Sequence, residues 1–306
     1  MISTEHLIGI AEGLGARLGV TGLEPFDGVQ ADLEERKLSG ASAGLGFTFS
    51  DPETSADPGK SFPWASSLIV VAVPYLRDGD GPGDQSVARF ADGDRYHGVR
   101  SVLSAIERDL GRLGHRAEIV YDDDRIVDRA AAVRSGVAWW GKSTMVLAPG
   151  FGPWLLIGTV VTDADLERTE PMRRTCGTCE ACLPACPTGA IIAPGVLDAR
   201  RCLAALLQGR GTIPLDIRPL VGGRVYGCDD CLTACPPGEA AIEEHDNHGS
   251  PDPRRFLEMT DSELEDATSH WFVPGRQMRF VRRNALVAVG NTAAADDIHL
   301  LAAYAS

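Results

Sequence analysis

Apolar positions at the start of the chain follow a helical period. Leu7, Ile8, Ile10, Leu14 and Leu18 recur at that spacing behind a Ser3 or Thr4 cap, so residues 1–48 read as a helix followed by a loop. The pattern then changes. "SSLIVVAVPYL", Ser66–Leu76, is a short β-branched run closed by Pro74 and predicts a buried strand. "RAEIVYDDD" and "PWLLIGTVVTD" predict two more strands, each ending in acids, with helical periods between them at about Gly98–Leu113 and Ile126–Ser135. Strands interleaved with helices make the first 165 residues a layered α/β or α+β domain. A charged stretch, "DADLERTEPMRRT", then leads into a cysteine-rich region, "EEHDNHGSPDPRR" is a polar break, and residues 260–306 return to a helical pattern.

Composition narrows the class. A chain of 306 residues exceeds the usual single domain, and 44% hydrophobic with 24% charged residues is ordinary globular usage. The expected division is 1–165, 166–245 and 246–306. A formal charge of -14 argues against broad electrostatic binding of nucleic acid but leaves room for a local basic strip. Glu5 and the broken apolar pattern of the N-terminus differ from a signal peptide, and no uninterrupted apolar run reaches the roughly 18 residues of a membrane span. The expectation is a cytoplasmic protein with no membrane contact. In that compartment eight cysteines read as metal ligands or redox groups.

Their spacing is specific. "CGTCEACLPACPTGAI", beginning at Cys176, has the form C-x2-C-x2-C-x3-C-P. It matches the bacterial ferredoxin run, in which three cysteines hold one cubane and the fourth reaches another cluster. "YGCDDCLTACPPG" repeats x2, x3 and a following proline with Cys228, Cys231 and Cys235, and Cys202 lies between the motifs. Crossing the fourth cysteine of each motif gives one set of Cys176, Cys179, Cys182 and Cys235, and a second of Cys186, Cys202, Cys228 and Cys231. All eight are used. Two zinc sites are the alternative, weakened by Pro187 and Pro236 at the same offset in each motif. Gly177, Gly189 and Gly227 would let the backbone wrap a cubane closely. The predicted task of this ferredoxin-like region is one-electron transfer through two 4Fe-4S clusters.

Nothing in the first 165 residues carries a G-x-G-x-x-G after a strand or a P-loop lysine motif, so neither a nicotinamide nor a nucleotide-hydrolysing site is supported as electron sink. Four ordered motifs supply another answer. "RFADGDRYHGVR" (Arg89–Arg100), "YDDDRIVDRAAAVRSGVAWWGKSTMVL" (Tyr121–Leu147), the doubled cysteine motifs and "RRNALVAVGN" (Arg282–Asn291) together resemble the epoxyqueuosine reductases, enzymes of queuosine synthesis in tRNA. The resemblance runs from near the N-terminus to about residue 295.

What the resemblance implies is an oxidoreductase of α+β class. It would have a corrinoid-binding α/β layer domain similar to that of reductive dehalogenases, a two-cluster ferredoxin-like domain and a short α-helical, HEAT-like tail. It implies a base-off cobalamin beside the two clusters, and reduction of epoxyqueuosine to queuosine at the wobble position of tRNA by cob(I)alamin. The family's catalytic aspartate lies in a V-D-S-A-P segment at a strand end, which maps onto Asp122 in "YDDDR" as proton donor. Asp123 and Asp124 replace small residues there and Arg125 replaces proline, and the two acids are expected to repel a charge on Asp122. Tyr96 and His97 map to the corrin or substrate cavity, and Trp139, Gly141, Lys142 and Ser143 of "WWGKS" to a loop that contacts either the corrinoid or only its own packed turn. Expected partners are tRNA and an electron donor such as ferredoxin or flavodoxin, with the chain a monomer.

In the tail, Arg276, Arg279, Arg282 and Arg283 follow at steps of three and four, with Trp271 and Phe272 nearby. On one helix they share a face suited to phosphate contact and base stacking; a solvated face over the apolar stripe Phe280, Leu286 and Val289 is the bland reading. Two other functions compete with the first: a corrinoid dehalogenase of small organohalides, and a ferredoxin-like carrier without turnover.

Overall fold

The computed structural model describes residues 2–294 and 297–304. The apolar run Ser67–Pro74 forms strand β2, at the centre of a sheet in which β1 (Arg17–Thr21), β2, β6 (Leu155–Thr162) and β3 (Ala117–Val120) lie side by side in that order. Every neighbouring pair is antiparallel, with β2 and β6 in register from Ser67 opposite Thr162 to Pro74 opposite Leu155. The domain is therefore α+β; the alternation of strand and helix patterns along the sequence does not produce a parallel sheet. Side chains on β2 alternate between two cores. Ile69, Val71 and Val73 pack with Leu7, Val99, Leu103 and Ile106, and Leu68, Val70 and Ala72 with Phe62, Ile126, Ala131 and Val146. Burial on both faces is why this strand reads as an unbroken apolar run.

The first core is closed by the Thr4–Gly13 and Tyr96–Arg112 helices. Ser3 caps the former by accepting from the His6 amide, as its position predicts. The latter lies so near β6 that a Cβ at Gly158 would come within 2.7 Å of a Leu103 methyl and 2.8 Å of one on Val99, so a larger residue there would force the packing to shift. Residues 1–48 hold more than a helix and a loop: they contain β1 and the Val29–Leu38 helix. The short strand, interrupted by Gly19, lacks a strand's side-chain pattern and is defined by its pairing with β2.

The chain separates into two compact units that do not follow the expected linear division. The first comprises 1–75, 95–180 and 193–196, and the second 76–94, 181–192 and 197–306. The first runs past residue 165 because the "charged linker" is anchored in it: Leu166 is buried and the Thr169 hydroxyl bonds to the Val20 and Ser135 carbonyls. The second unit is mostly helical around two cores. One gathers Val87, Tyr226, Phe256, Trp271, Val281 and Val289, and the other Leu203, Leu207, Ile213, Ile217 and Val221. Buried Asn284 ties segments together by donating to the carbonyls of Leu207 and Val225 at 2.7 and 2.8 Å. The tail is helical as its pattern predicts, with the Asp261–Ala267, Arg279–Thr292 and Ile298–Ala302 helices.

Candidate active site and cluster-binding cysteines

Asp122 stands just after β3, where the chain leaves the sheet, and its backbone is left-handed at φ 48°. For a non-glycine residue that conformation is held by its surroundings and recurs where a side chain must be aimed. The residue is exposed, yet its carboxyl pKa is raised: protein packed around the group desolvates it, and this outweighs a hydrogen bond from Tyr96 and the charge of Arg129. Solvent reaches the carboxyl from one side while the protein packed on its other sides strips hydration from it. Tyr96 opens the Tyr96–Arg112 helix, and its ring lies 5.9 Å from that of Tyr121. His97, next on the helix, is exposed.

The other two acids do not play the part expected of them. Asp123 binds Arg125 through both carboxylate oxygens, at 2.6 Å to Nη2, and also accepts from the Arg125 amide; these contacts hold its pKa low. Arg125 reaches Glu118 as well, at 2.8 Å. The departure from the family pattern thus builds its own closed turn, an Asx-type bend locked by an ion pair where a proline is expected. The Asp124 carbonyl accepts from the Ser55 hydroxyl at 2.5 Å. The acid that does bear on this site is one that the sequence reading passed over. Asp128, the first residue of the Asp128–Arg134 helix, has a buried Oδ1 with no hydrogen-bond partner. Its pKa is raised well above the usual carboxylate range, by burial first and then by the charge of Asp122. In sequence it looks like an ordinary acid at a helix start.

"WWGKS" forms a hairpin. Strand β4 (Trp139–Trp140) pairs with β5 (Val146–Leu147), and the Gly141 amide donates to the Met145 carbonyl at 2.8 Å. Thr144 in the turn is left-handed at φ 69°, and its carbonyl accepts from Arg129 Nη1 at 3.1 Å, which joins this hairpin to the Asp122 segment. Lys142 pairs with Glu180 at 3.3 Å, and the Ser143 hydroxyl accepts from the Met145 amide at 3.4 Å. Gly141 is buried in the turn; Trp139 is buried with its Nε1 unpartnered, while Trp140 is exposed.

In the second unit Cys231 is half-buried, and the thiols of Cys228, Cys202 and Cys186 lie near enough to act on it electrostatically. Burial is the main cause of its strongly raised pKa, and burial likewise pushes Cys228 up to about 12. Cys186 differs: burial pushes it up, but the Thr188 hydroxyl and amides including that of Ala190, 3.2 Å from its Sγ, prevail and lower it. Crowded thiols of this kind become thiolates together only when a metal offsets their charge. Gly189 and Gly227 both have positive φ, at 61° and 72°. A Cβ on Gly227 would fall 2.5 Å from that of Ala88, so the cysteine loop there also needs glycine for room. Among the described residues no three His, Cys, Asp or Glu side chains are drawn together tightly enough for a single ion. Of the remaining cysteines, Cys182 and Cys235 belong to the second unit and Cys176 and Cys179 to the first.

The tail arginines differ in what they contact. Arg276 lies before the Arg279–Thr292 helix, so the four do not share one helical face, and it donates to the carbonyls of Thr268, Trp271 and Glu265. Arg282 donates to the carbonyls of Phe256, Leu257 and Met259 and pairs with Asp261 at 2.7 Å. Arg283 donates to those of Leu206, Gly209 and Gly211. Arg279 is exposed, with its guanidinium over the Phe280 ring. Trp271 is core, only 7% exposed and stacked on Tyr226 at 4.2 Å, whereas Phe272 is 63% exposed.

Residues 175–238 match the model of a 4Fe-4S double cluster binding domain. An epoxyqueuosine reductase of Bacillus subtilis is 30% identical over 94% of this chain and 78% of its own length. The chain belongs to the epoxyqueuosine reductase family. A family member from Vibrio cholerae is 36% identical over 69% of this chain and 60% of its own. Among solved structures, an epoxyqueuosine reductase with a tRNA-Tyr epoxyqueuosine-modified stem loop superposes with a TM-score of 0.86 at 29% identity, covering 97% of this chain and 83% of that one. The enzyme from Streptococcus thermophilus gives 0.85 at 25% identity, covering 98% and 84%.

Proposed function

We propose that this epoxyqueuosine reductase family member reduces the epoxide of epoxyqueuosine in tRNA to the alkene of queuosine, with Asp122 as the proton donor. The reaction takes two electrons and two protons and releases the epoxide oxygen as water, so a positioned acid is required. The observation that carries the reading is Asp122 itself: an accessible carboxyl on a left-handed strand end, desolvated so that its pKa rises, and held by Tyr96. A raised pKa keeps the group a donor closer to neutral pH than an ordinary aspartate with a pKa of roughly 3.9.

The gathering of Cys186, Cys202, Cys228 and Cys231, with amides and a hydroxyl turned to Cys186, fits a cubane that carries single electrons. Cys176, Cys179, Cys182 and Cys235 are assigned to the second cluster on their spacing. A base-off cobalamin, when bound, supplies the low-potential chemistry at the epoxide carbon. Tyr96, His97, Trp139, Gly141, Lys142 and Ser143 are the residues assigned to it, and the buried, unpartnered Nε1 of Trp139 is a donor that such a ligand would satisfy. The short helical tail is read as HEAT-like and as the place of tRNA contact, with Arg279 and Phe272 its exposed groups. A ferredoxin or flavodoxin is the donor class expected, and the protein is read as a monomer. Among the described residues no helix is long and apolar enough to cross a membrane.

The test is reconstitution without oxygen, followed by incubation with a reductant and epoxyqueuosine-containing tRNA and mass spectrometry of the nucleosides. Conversion to queuosine is expected, with about eight irons and one cobalt per chain. Asp122→Asn is expected to keep its metal content and lose conversion by at least about a hundredfold. Turnover of a halophenol alone would make the chain a dehalogenase, and full iron without any conversion would make it an electron carrier.

A further inference from the structure

The reduction consumes two protons, and a single carboxyl delivers one at a time. Asp128 is a second carboxyl, near enough to feel the charge of Asp122, and the proposed reaction leaves it without a task. It lies six residues after Asp122, across the bend locked by Asp123 and Arg125, and opens the Asp128–Arg134 helix. Its Oδ1 is shut away from solvent without any hydrogen-bond donor. A carboxylate stranded in that way is costly, whereas a neutral acid is tolerated.

The surroundings reinforce this. The strands packed on its helix, β2, β4, β5 and β6, carry no ionisable side chain, and β1 adds only Arg17. From its own segment Asp128 meets the charges of Asp122, Asp123 and Arg129. Asp123 is already paired with Arg125, which also holds Glu118, and Arg129 donates to the Thr144 carbonyl as well as acting on Asp122. A helix start favours an anion, but burial and the neighbouring acids act against one.

Building on the proposed reaction, we infer that Asp128 is a second proton store, a positioning residue that recharges Asp122 during the reduction. The first proton passes from Asp122 to the epoxide oxygen as a C–O bond breaks. The Asp128 proton then moves to the Asp122 carboxylate, from which it completes the departing water as the second C–O bond breaks. The two electrons that form the alkene come from the low-potential iron–sulfur donor of the same reaction. Asp128 is left as a carboxylate and recovers its proton from solvent between turnovers.

The experiment is the pH dependence of epoxyqueuosine reduction by the reconstituted protein, in the wild type and in Asp128→Asn. If both stored protons are needed, the wild-type log rate falls on the alkaline side with a limiting slope near two, because the pair titrates together. Asp128→Asn is expected to show a slope near one and a rate about tenfold lower at neutral pH. Asp123→Asn should leave the slope at two, and Asp128→Glu should restore it. Infrared spectroscopy of the same preparations without tRNA supplies a readout independent of turnover and of how well the variant performs. The protonated-carboxyl absorption at neutral pH should lose one component in Asp128→Asn and keep it in Asp123→Asn. A wild-type slope of one, or a band unchanged by the substitution, overturns the inference while the proposed reaction stands. Absence of conversion by the wild type at every pH overturns the reaction and the proton store with it.

Discussion

The Arg89–Asp229 pair offers a quantitative test of what holds the second cysteine motif in place. Arg89 is 2% exposed and Asp229, between Cys228 and Cys231, is 6% exposed. The guanidinium donates to the carbonyls of Asp80 and Gly81, each at 2.7 Å, and approaches Asp229 Oδ2 at 3.4 Å. Arg89→Met keeps much of the volume and removes all of these. Stripping one partner from a buried pair costs about 3–5 kcal/mol. The rather long ion-pair contact, and the Arg89 amide that still donates to Asp229 at 2.7 Å, argue for the low end of that range for the pair itself. The two orphaned carbonyls add about 1 kcal/mol to that cost, so the expected loss is about 4 kcal/mol. For a protein of this size that lowers the Tm by about 6 °C.

The sign of the pH dependence follows from Asp229. Burial already raises its pKa, against the opposing pull of Arg89, and loss of the guanidinium raises it further. An acid whose folded pKa lies above its unfolded value destabilises the fold increasingly as pH rises from the unfolded to the folded pKa, and not below both. Calorimetric scans of the reconstituted protein from about pH 8 to about pH 5 should therefore show the gap between wild type and Arg89→Met narrowing as pH falls. In an Asp229→Asn background the same substitution should cost roughly half as much, since no buried charge is left behind. A loss below about 1 kcal/mol, or a gap independent of pH, would refute this account of the loop.

Two further predictions concern the clusters and the tail. Cys231→Ser should lower bound iron from about eight to about four per chain, measured by iron analysis and by electron paramagnetic resonance of the reduced protein; unchanged iron would remove Cys231 from the ligand set. Arg279→Ala should weaken tRNA binding and reduce the salt slope by about one with stability nearly unchanged, whereas Arg283→Ala should lower stability by about 1–2 kcal/mol with little change in that slope. Filter binding across a salt series, paired with thermal melts, separates the two, and equal effects on binding would show that the carbonyl contacts of Arg283 are dispensable.

The parts of the molecule legible in its amino-acid order are those whose determinants are local. Cysteine spacing lies within a few residues, so the two motifs, and the sets proposed from them, can be written from the sequence; in the fold, the thiols of Cys186, Cys202 and Cys228 act on Cys231 electrostatically. The strand Ser67–Pro74 is equally plain because both of its faces are buried, and Asp122 is found from the motif around it. Other features depend on distant neighbours. β1, with Gly19 at its middle, exists through its pairing with β2, and antiparallel order comes from how the strands return rather than from their side-chain pattern.

The tertiary structure also decides what each charge does. Asp122, Asp123 and Asp128 are the same residue type in one short segment, yet one is accessible and desolvated, one is neutralised by Arg125, and one has a carboxylate oxygen shut away without a partner. Arg279 and Arg283 lie one turn apart on a helix, yet Arg283 is spent on carbonyls at 206, 209 and 211 while Arg279 faces solvent. The order of residues specifies which groups exist and the short-range spacing of the cysteines. Their protonation and availability are settled by desolvation and by partners far along the chain, and those come into being only when it folds.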